Sequence, residues 1–285
     1  MISYYFLFKV IALTLIMFTP NFGLNDEGRL ENPFTPISIG TGLNPHVTLC
    51  RLRWDLYWKT PSKYASFKNL VSVSLCHKQI DEFGHRIVKS GQLSVLLNEL
   101  DEDVKANTSR CLQPNGFIFH ESRVGSTLVS NLLGSDRHTM VFSESSPPSM
   151  ALMRCRGCSR EANIKLFRDV IRLMGRTYTG SNSQTRLFFK FQSVTTTRMD
   201  LALEAFPTVP WAFIFRNPLE TAMSQLDSKK IQPIRTAGIV TTSRGMTPAP
   251  LAQLLILILE CDNYTVCLYV RETSDKSFSC TEVLC

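Results

Sequence analysis

Apolar residues fall in short blocks separated by polar and turn-forming residues, and the period within each block distinguishes helix from strand. Residues 92–104 place Leu93, Leu96, Leu97 and Leu100 at spacings of three and four, the stripe of an amphipathic helix. Residues 116–120 (Gly-Phe-Ile-Phe-His) are a short apolar run preceded by turn residues, which predicts a strand. A loop at 121–126 and a helix at 127–133 follow. A second short strand is expected at 139–142. It ends at Ser143-Glu144-Ser145-Ser146-Pro147-Pro148, where the two prolines are expected to forbid a helix. Residues 164–174 and 199–206 read as helices, and 186–191 and 210–215 as strands. The last strand runs into Arg216-Asn217-Pro218, with Pro218 suited to a first helical position and Glu220 to the first turn.

Strands that alternate with helices and are apolar on both faces imply an α/β fold with a mostly parallel sheet, covered on both sides. No internal repeat interrupts this order. Residues 24–50 are rich in Pro, Gly and Asn without an apolar period and read as a stem or linker. Residues 51–110 form an N-terminal helical region, and 111–285 hold the main domain. Within it, the run at 251–259 is too short to span a membrane, and the tail at 251–285 is atypical.

The N-terminus changes the picture of the compartment. Residues 1–18 carry one charge, Lys9, ahead of an apolar run and Pro20, which reads as a secretory signal peptide. The apolar stretch approaches the roughly 17–20 residues that span a bilayer, and Asn21-Phe22-Gly23 is a poor cleavage site. Residues 1–23 are therefore a signal peptide or a type II anchor. Nine cysteines agree with an oxidising lumen, and their odd number leaves at least one outside any intramolecular bridge. Two sequons begin at Asn107 and Asn263, of which Asn107, in a polar stretch, is the better acceptor. Cys155-Arg-Gly-Cys158 has no second CxxC or His pair near it, so disulfide use is favoured over zinc and no metal is expected.

Charged residues make up 19% of the chain and hydrophobic ones 44%, a balance that excludes a disordered or fibrous protein. The net charge of +7 favours an anionic ligand, a polyanionic acceptor or an anionic membrane surface. Basic residues do not cluster with aromatics, so nucleic acid is not an expected partner.

The loop Glu121-Ser122-Arg123-Val124-Gly125-Ser126-Thr127 lies between a strand and a helix, where backbone N–H groups and the helix dipole favour an anion. Gly125 allows close approach, Ser126 and Thr127 supply hydroxyls, and Arg123 supplies charge. A Walker loop would need a glycine where His120 stands and a lysine where Ser126 stands. Without that lysine the terminal phosphates of ATP lose support, and a ligand with only a 5′ phosphate group is favoured. Arg216 leaves a buried strand, and Ser224 stands eight residues later, about two helical turns on, able to hold one phosphate from two sides.

Residues 120–127 resemble the 5′-phosphosulfate loop of the P-loop sulfotransferases, closest to the Arg-Ser-Gly-Ser-Thr form of the carbohydrate, Golgi-type enzymes. Phe213-Ile-Phe-Arg-Asn-Pro218 through Ser224 resembles the same family's 3′-phosphate element. The likeness covers residues 114–228 and implies a P-loop three-layer α/β/α fold. It also implies transfer of a sulfuryl group from 3′-phosphoadenylyl sulfate (PAPS), as co-substrate, to a hydroxyl acceptor. That acceptor would be a glycan, a protein or a small molecule, in the Golgi lumen or membrane or outside the cell. By the same likeness Arg123, Val124, Gly125, Ser126 and Thr127 would hold the 5′-phosphosulfate, and Arg216 and Ser224 the 3′-phosphate. Glu144 is the first choice of general base, with His120 and Glu121 as competitors, and Lys190 would neutralise the leaving group. Two departures stand: Asn217 replaces the usual Asp, and Arg244-Gly245 is the sole counterpart of a glycine-rich basic loop. A nucleotide kinase or NTPase and a catalytically degenerate secreted P-loop-like protein are the alternatives.

Overall fold

The computed structural model describes residues 34–80, 84, 86–136, 138–153, 155, 157–178, 184–217 and 221, together with the backbone of 266–271 and 281–283. The N-terminal 1–23 segment, the sequon at Asn263 and the tail outside its two short strands lie beyond those residues.

The chain enters through β1 (Phe34–Ile39) and β2 (His46–Arg51), which pair antiparallel. This differs from the expected linker. Val47, Leu49 and Cys50 are buried in β2, while Gly40, Gly42 and Asn44 fall in the turn between the strands. Asn44 fastens that turn by donating to Gln92 and Ser94 and accepting from the Ser94 amide at 2.9 Å. Pro36 is tolerated because β1 is an edge strand and its register shifts beside that proline.

Two short helices follow, α1 (Trp54–Lys59) and α2 (Phe67–Val73), tied to β2 by a Cys50–Cys76 disulfide. Next, β3 (Val88–Gln92) completes the small sheet in the order β1-β2-β3. Its successor, α3 (Leu93–Lys105), buries Leu93, Leu96 and Leu100, the stripe expected from their spacing. A short strand β4 (Ser109–Cys111) then leads into the main sheet.

That sheet opens with β5 (Gly116–His120), followed by α4 (Ser126–Gly134) and β6 (Thr139–Ser143). The helix α5 (Ser146–Met153) contains Pro147 and Pro148, contrary to expectation. Both occupy its first turn, where the missing N–H has no intrahelical partner to lose. Ser159 caps the next helix, α6 (Arg160–Met174), by accepting from the Ala162 amide, so the helix starts four residues before the expected point. The chain continues through β7 (Arg176–Tyr178), which pairs with β4, then β8 (Arg186–Lys190) and a 3₁₀ helix (Ser193–Arg198). It ends in α7 (Met199–Ala205), β9 (Trp211–Phe215), β10 (Val266–Arg271) and β11 (Thr281–Val283).

The sheet order is β11-β10-β9-β5-β8-β6. The four strands β9, β5, β8 and β6 are parallel, and β10 and β11 add antiparallel pairs at one edge. Side chains alternate across it. Phe117, Phe119, Phe189 and Phe191 join Phe167 of α6 in an aromatic core, with the Phe119 and Phe191 rings stacked at 5.0 Å. Ile118 and Ile214 form a second cluster with Val124, packed by Val129 and Leu133 of α4.

Topology then fixes where a site can be. The chain leaves β5 toward β6, on the β8 side, whereas β9 flanks β5 on the other side with β10 beyond it. Adjacent strands whose connections diverge leave a crevice beyond their carboxyl ends, where ligands of open parallel sheets bind.

Candidate functional site

Both motif loops begin at that crevice. His120 pairs in register with Ile214, and the Glu121 amide donates to the Ile214 carbonyl at 3.1 Å, so the loop after β5 starts beside the end of β9. Arg216 follows β9 two residues after Ile214 and is half-buried. Ser224 lies outside the described residues. Thr221 is buried and its amide donates to the Asn217 carbonyl at 3.0 Å.

The loop reverses through two left-handed residues, Arg123 (φ 66°) and Gly125 (φ 78°). A Cβ on Gly125 would meet nothing within 4 Å, so glycine answers to the backbone conformation and the space beside it is open. Gly125 is also the N-cap of α4, and no side chain caps the helix there. An uncapped helix start presents its first amides to whatever occupies the loop. Arg123, Gly125 and Thr127 are exposed, and Ser126 is buried at the start of α4. Val124 is buried beneath the loop against Ile118 and Ile214, so its backbone alone can meet a ligand.

Three side chains proposed for chemistry converge at the carboxyl ends of β5, β6 and β8. Lys190 ends β8; alternation turns it away from Phe189 and Phe191, toward the face that carries Ile118 and α4. Its side chain is only 1% exposed, and its ammonium donates to Oε1 of Glu144, a carboxylate that is 41% exposed. Glu144 sits just past β6 in the left-handed region (φ 57°). Its amide donates to the Lys190 carbonyl at 2.7 Å, and its carbonyl accepts from the Gln192 side chain at 3.2 Å. The sequence carried no signal for Gln192.

Nε2 of His120 lies 3.7 Å from the same Glu144 oxygen. The ring is buried between two carbonyls, with Nδ1 2.7 Å from the Glu121 oxygen and Nε2 2.9 Å from that of Phe191. A neutral imidazole donates to one of them. Burial, then the Lys190 ammonium, push its pKa below the ordinary value; the carbonyls and Glu144 oppose this without reversing it. Glu121 is half-buried, and burial alone raises its carboxyl. Thr196 of the 3₁₀ helix donates to the His120 carbonyl at 3.3 Å.

Among the described residues no group of three or more His, Cys, Asp or Glu side chains is arranged to hold a metal ion. Cys155 and Cys158 are bridged to each other. The chain matches no family model, no curated protein and no solved structure.

Proposed function

We propose that the protein is a PAPS-dependent sulfotransferase on a P-loop three-layer α/β/α fold. One observation carries the reading. The glycine loop at the uncapped start of α4 and the Arg216 segment leave adjacent parallel strands at the point where the chain diverges, with a buried lysine beside them. Helices pack on both faces of the sheet, α6 against the aromatic side and α4 against Ile118, as a three-layer fold requires.

In this reading the amides of residues 124–127 and the Arg123 guanidinium hold the 5′-phosphosulfate, and Arg216 with Ser224 holds the 3′-phosphate. The acceptor hydroxyl oxygen attacks sulfur. A new S–O bond forms as the S–O bond to the phosphate breaks, leaving its electron pair on the phosphate oxygen. Lys190 opposes the charge that develops there, and the hydroxyl proton passes to the Glu144 carboxylate. The Cys50–Cys76 disulfide favours an oxidising lumen.

A nucleotide kinase or NTPase is the second reading, and Ser126 in place of the Walker lysine weighs against it. Calorimetry on the full chain, made in a secretory host, separates the two. Adenosine 3′,5′-bisphosphate should bind in preference to ATP, and Arg216→Ala should weaken it by about 1.5–3 kcal/mol through loss of a charged phosphate contact. Preference for ATP, or unchanged affinity in the Arg216 variant, would remove the 3′-phosphate assignment.

A further inference from the structure

The buried lysine and the base are one ion pair, and that bears on the order of events. An ammonium as buried as that of Lys190 needs an anionic partner, and Glu144 is the partner it holds. In this arrangement Glu144 Oε1 is already engaged by the Lys190 ammonium, and the carboxylate is aimed at the lysine and not at an acceptor hydroxyl. A second anion brought to Lys190 would set two negative charges side by side, and the exposed member of the original pair is the one that can yield. The backbone of Glu144 is fixed by its amide bond to the Lys190 carbonyl and by Gln192, which leaves the side chain free to turn toward solvent while the main chain stays in place.

We propose that Glu144 and the donor's 5′-phosphosulfate compete for Lys190, so that donor binding takes the lysine and releases Glu144 as the base. The inference rests on the donor site proposed above. It makes Glu144 a stand-in for the donor anion before binding and a proton acceptor after it, and it makes donor binding precede a competent acceptor complex.

A double-mutant cycle read by calorimetry on the full chain tests this, with adenosine 3′,5′-bisphosphate as the probe because it retains the 5′-phosphate. Glu144→Gln keeps the size of the side chain and removes the competing charge, so it should tighten binding by about three- to tenfold. Lys190→Met should weaken binding, and in that background Glu144→Gln should change affinity by less than about twofold. Should Lys190→Met lower the melting temperature below that of the assay, Lys190→Gln serves the same comparison. Equal or weaker binding by Glu144→Gln in the parent chain overturns the competition. So does tightening of the same size in both backgrounds, which would mark a general field effect and not a shared partner. Absence of bisphosphate binding by the unmodified protein is a separate result that overturns the donor site itself, and the competition with it.

Discussion

His120 and Glu121 are chain neighbours whose folded states shift their proton affinities in opposite directions, and each shift ties stability to pH. For Glu121 the folded pKa lies above the ordinary 4.5, so its contribution is fully present below that value and is lost as pH rises through the folded pKa. Glu121→Gln should therefore raise the melting temperature at pH 7 and give no gain near pH 4, a difference that thermal melts across pH would read. An equal gain at both pH values would mean that ionisation is not its cause. His120 has a folded pKa below the ordinary 6.5, so the unfolded chain binds the proton more tightly. Stability should fall as pH drops through 6.5 toward the folded value, and His120→Gln should flatten that part of the profile. An unchanged slope in the variant would show that other groups cause the acid loss. The residue types at this site were legible in the sequence, since Gly125 and its neighbours stand between a readable strand and a readable helix. The pairing of Lys190 with Glu144 was not. They are 46 positions apart, and the register of β6 against β8, which sets Ser143 opposite Lys190, brings them together. Parallel strands are joined by long crossovers and not by a tight turn, so no short stretch of sequence sets which residues face each other.

At the scale of elements, α4 links the loop to the fold at both ends. Gly125 starts it in the left-handed region, and at the other end a Cβ on Gly134 would run into the Tyr57 side chain of α1. The two glycines serve different ends, which alanine substitutions should separate. Gly125→Ala has open space around it, so its cost is the left-handed backbone alone, about 1–2 kcal/mol. It should also weaken bisphosphate binding, because relief of the strain turns the first amides of α4 away from the loop. Gly134→Ala should destabilise through the clash with Tyr57 and leave the affinity of the folded fraction close to that of the parent. Equal loss of affinity in both variants, by calorimetry beside melting curves, would argue against a special role for the loop. The same scale shows where pattern reading ran short. The Pro147-Pro148 pair looked like a barrier because helix interiors reject proline, yet the first turn of α5 accepts it. Turn residues around Asn44 suggested a linker, although the strands they join bury Val47 and Leu49 against the core. Long-range pairing with β3 decides that hairpin, and composition does not record it.

For the whole molecule, the compartment is the property with the widest consequences. The Cys50–Cys76 bridge closes a loop with a sequence separation of 26, around α1 and α2, and anchors them to the buried Cys50. Its reduction should lower stability by about 2–4 kcal/mol, and a chain whose melting is indifferent to reductant would not depend on an oxidising lumen. The sequon at Asn107 gives a second and independent test. Asn107 follows the end of α3, is exposed, and takes the left-handed conformation that asparagine tolerates at helix ends. Replacing it would disturb that helix end. Its third position, Ser109, offers a cleaner variant: the residue is 2% exposed in β4, and its hydroxyl finds no hydrogen-bond partner among the described residues. Removing a buried, unpaired hydroxyl relieves a desolvation cost of about 1–3 kcal/mol against little loss of packing. Ser109→Ala should thus abolish a deglycosylation-dependent mobility shift in protein from a secretory host, while the melting temperature of the enzymatically deglycosylated chain holds or rises. A shift that persists in this variant would move the glycan away from Asn107. If the parent chain shows no shift at all, lumenal placement of this loop loses its direct support, and the donor chemistry would have to be sought in another compartment.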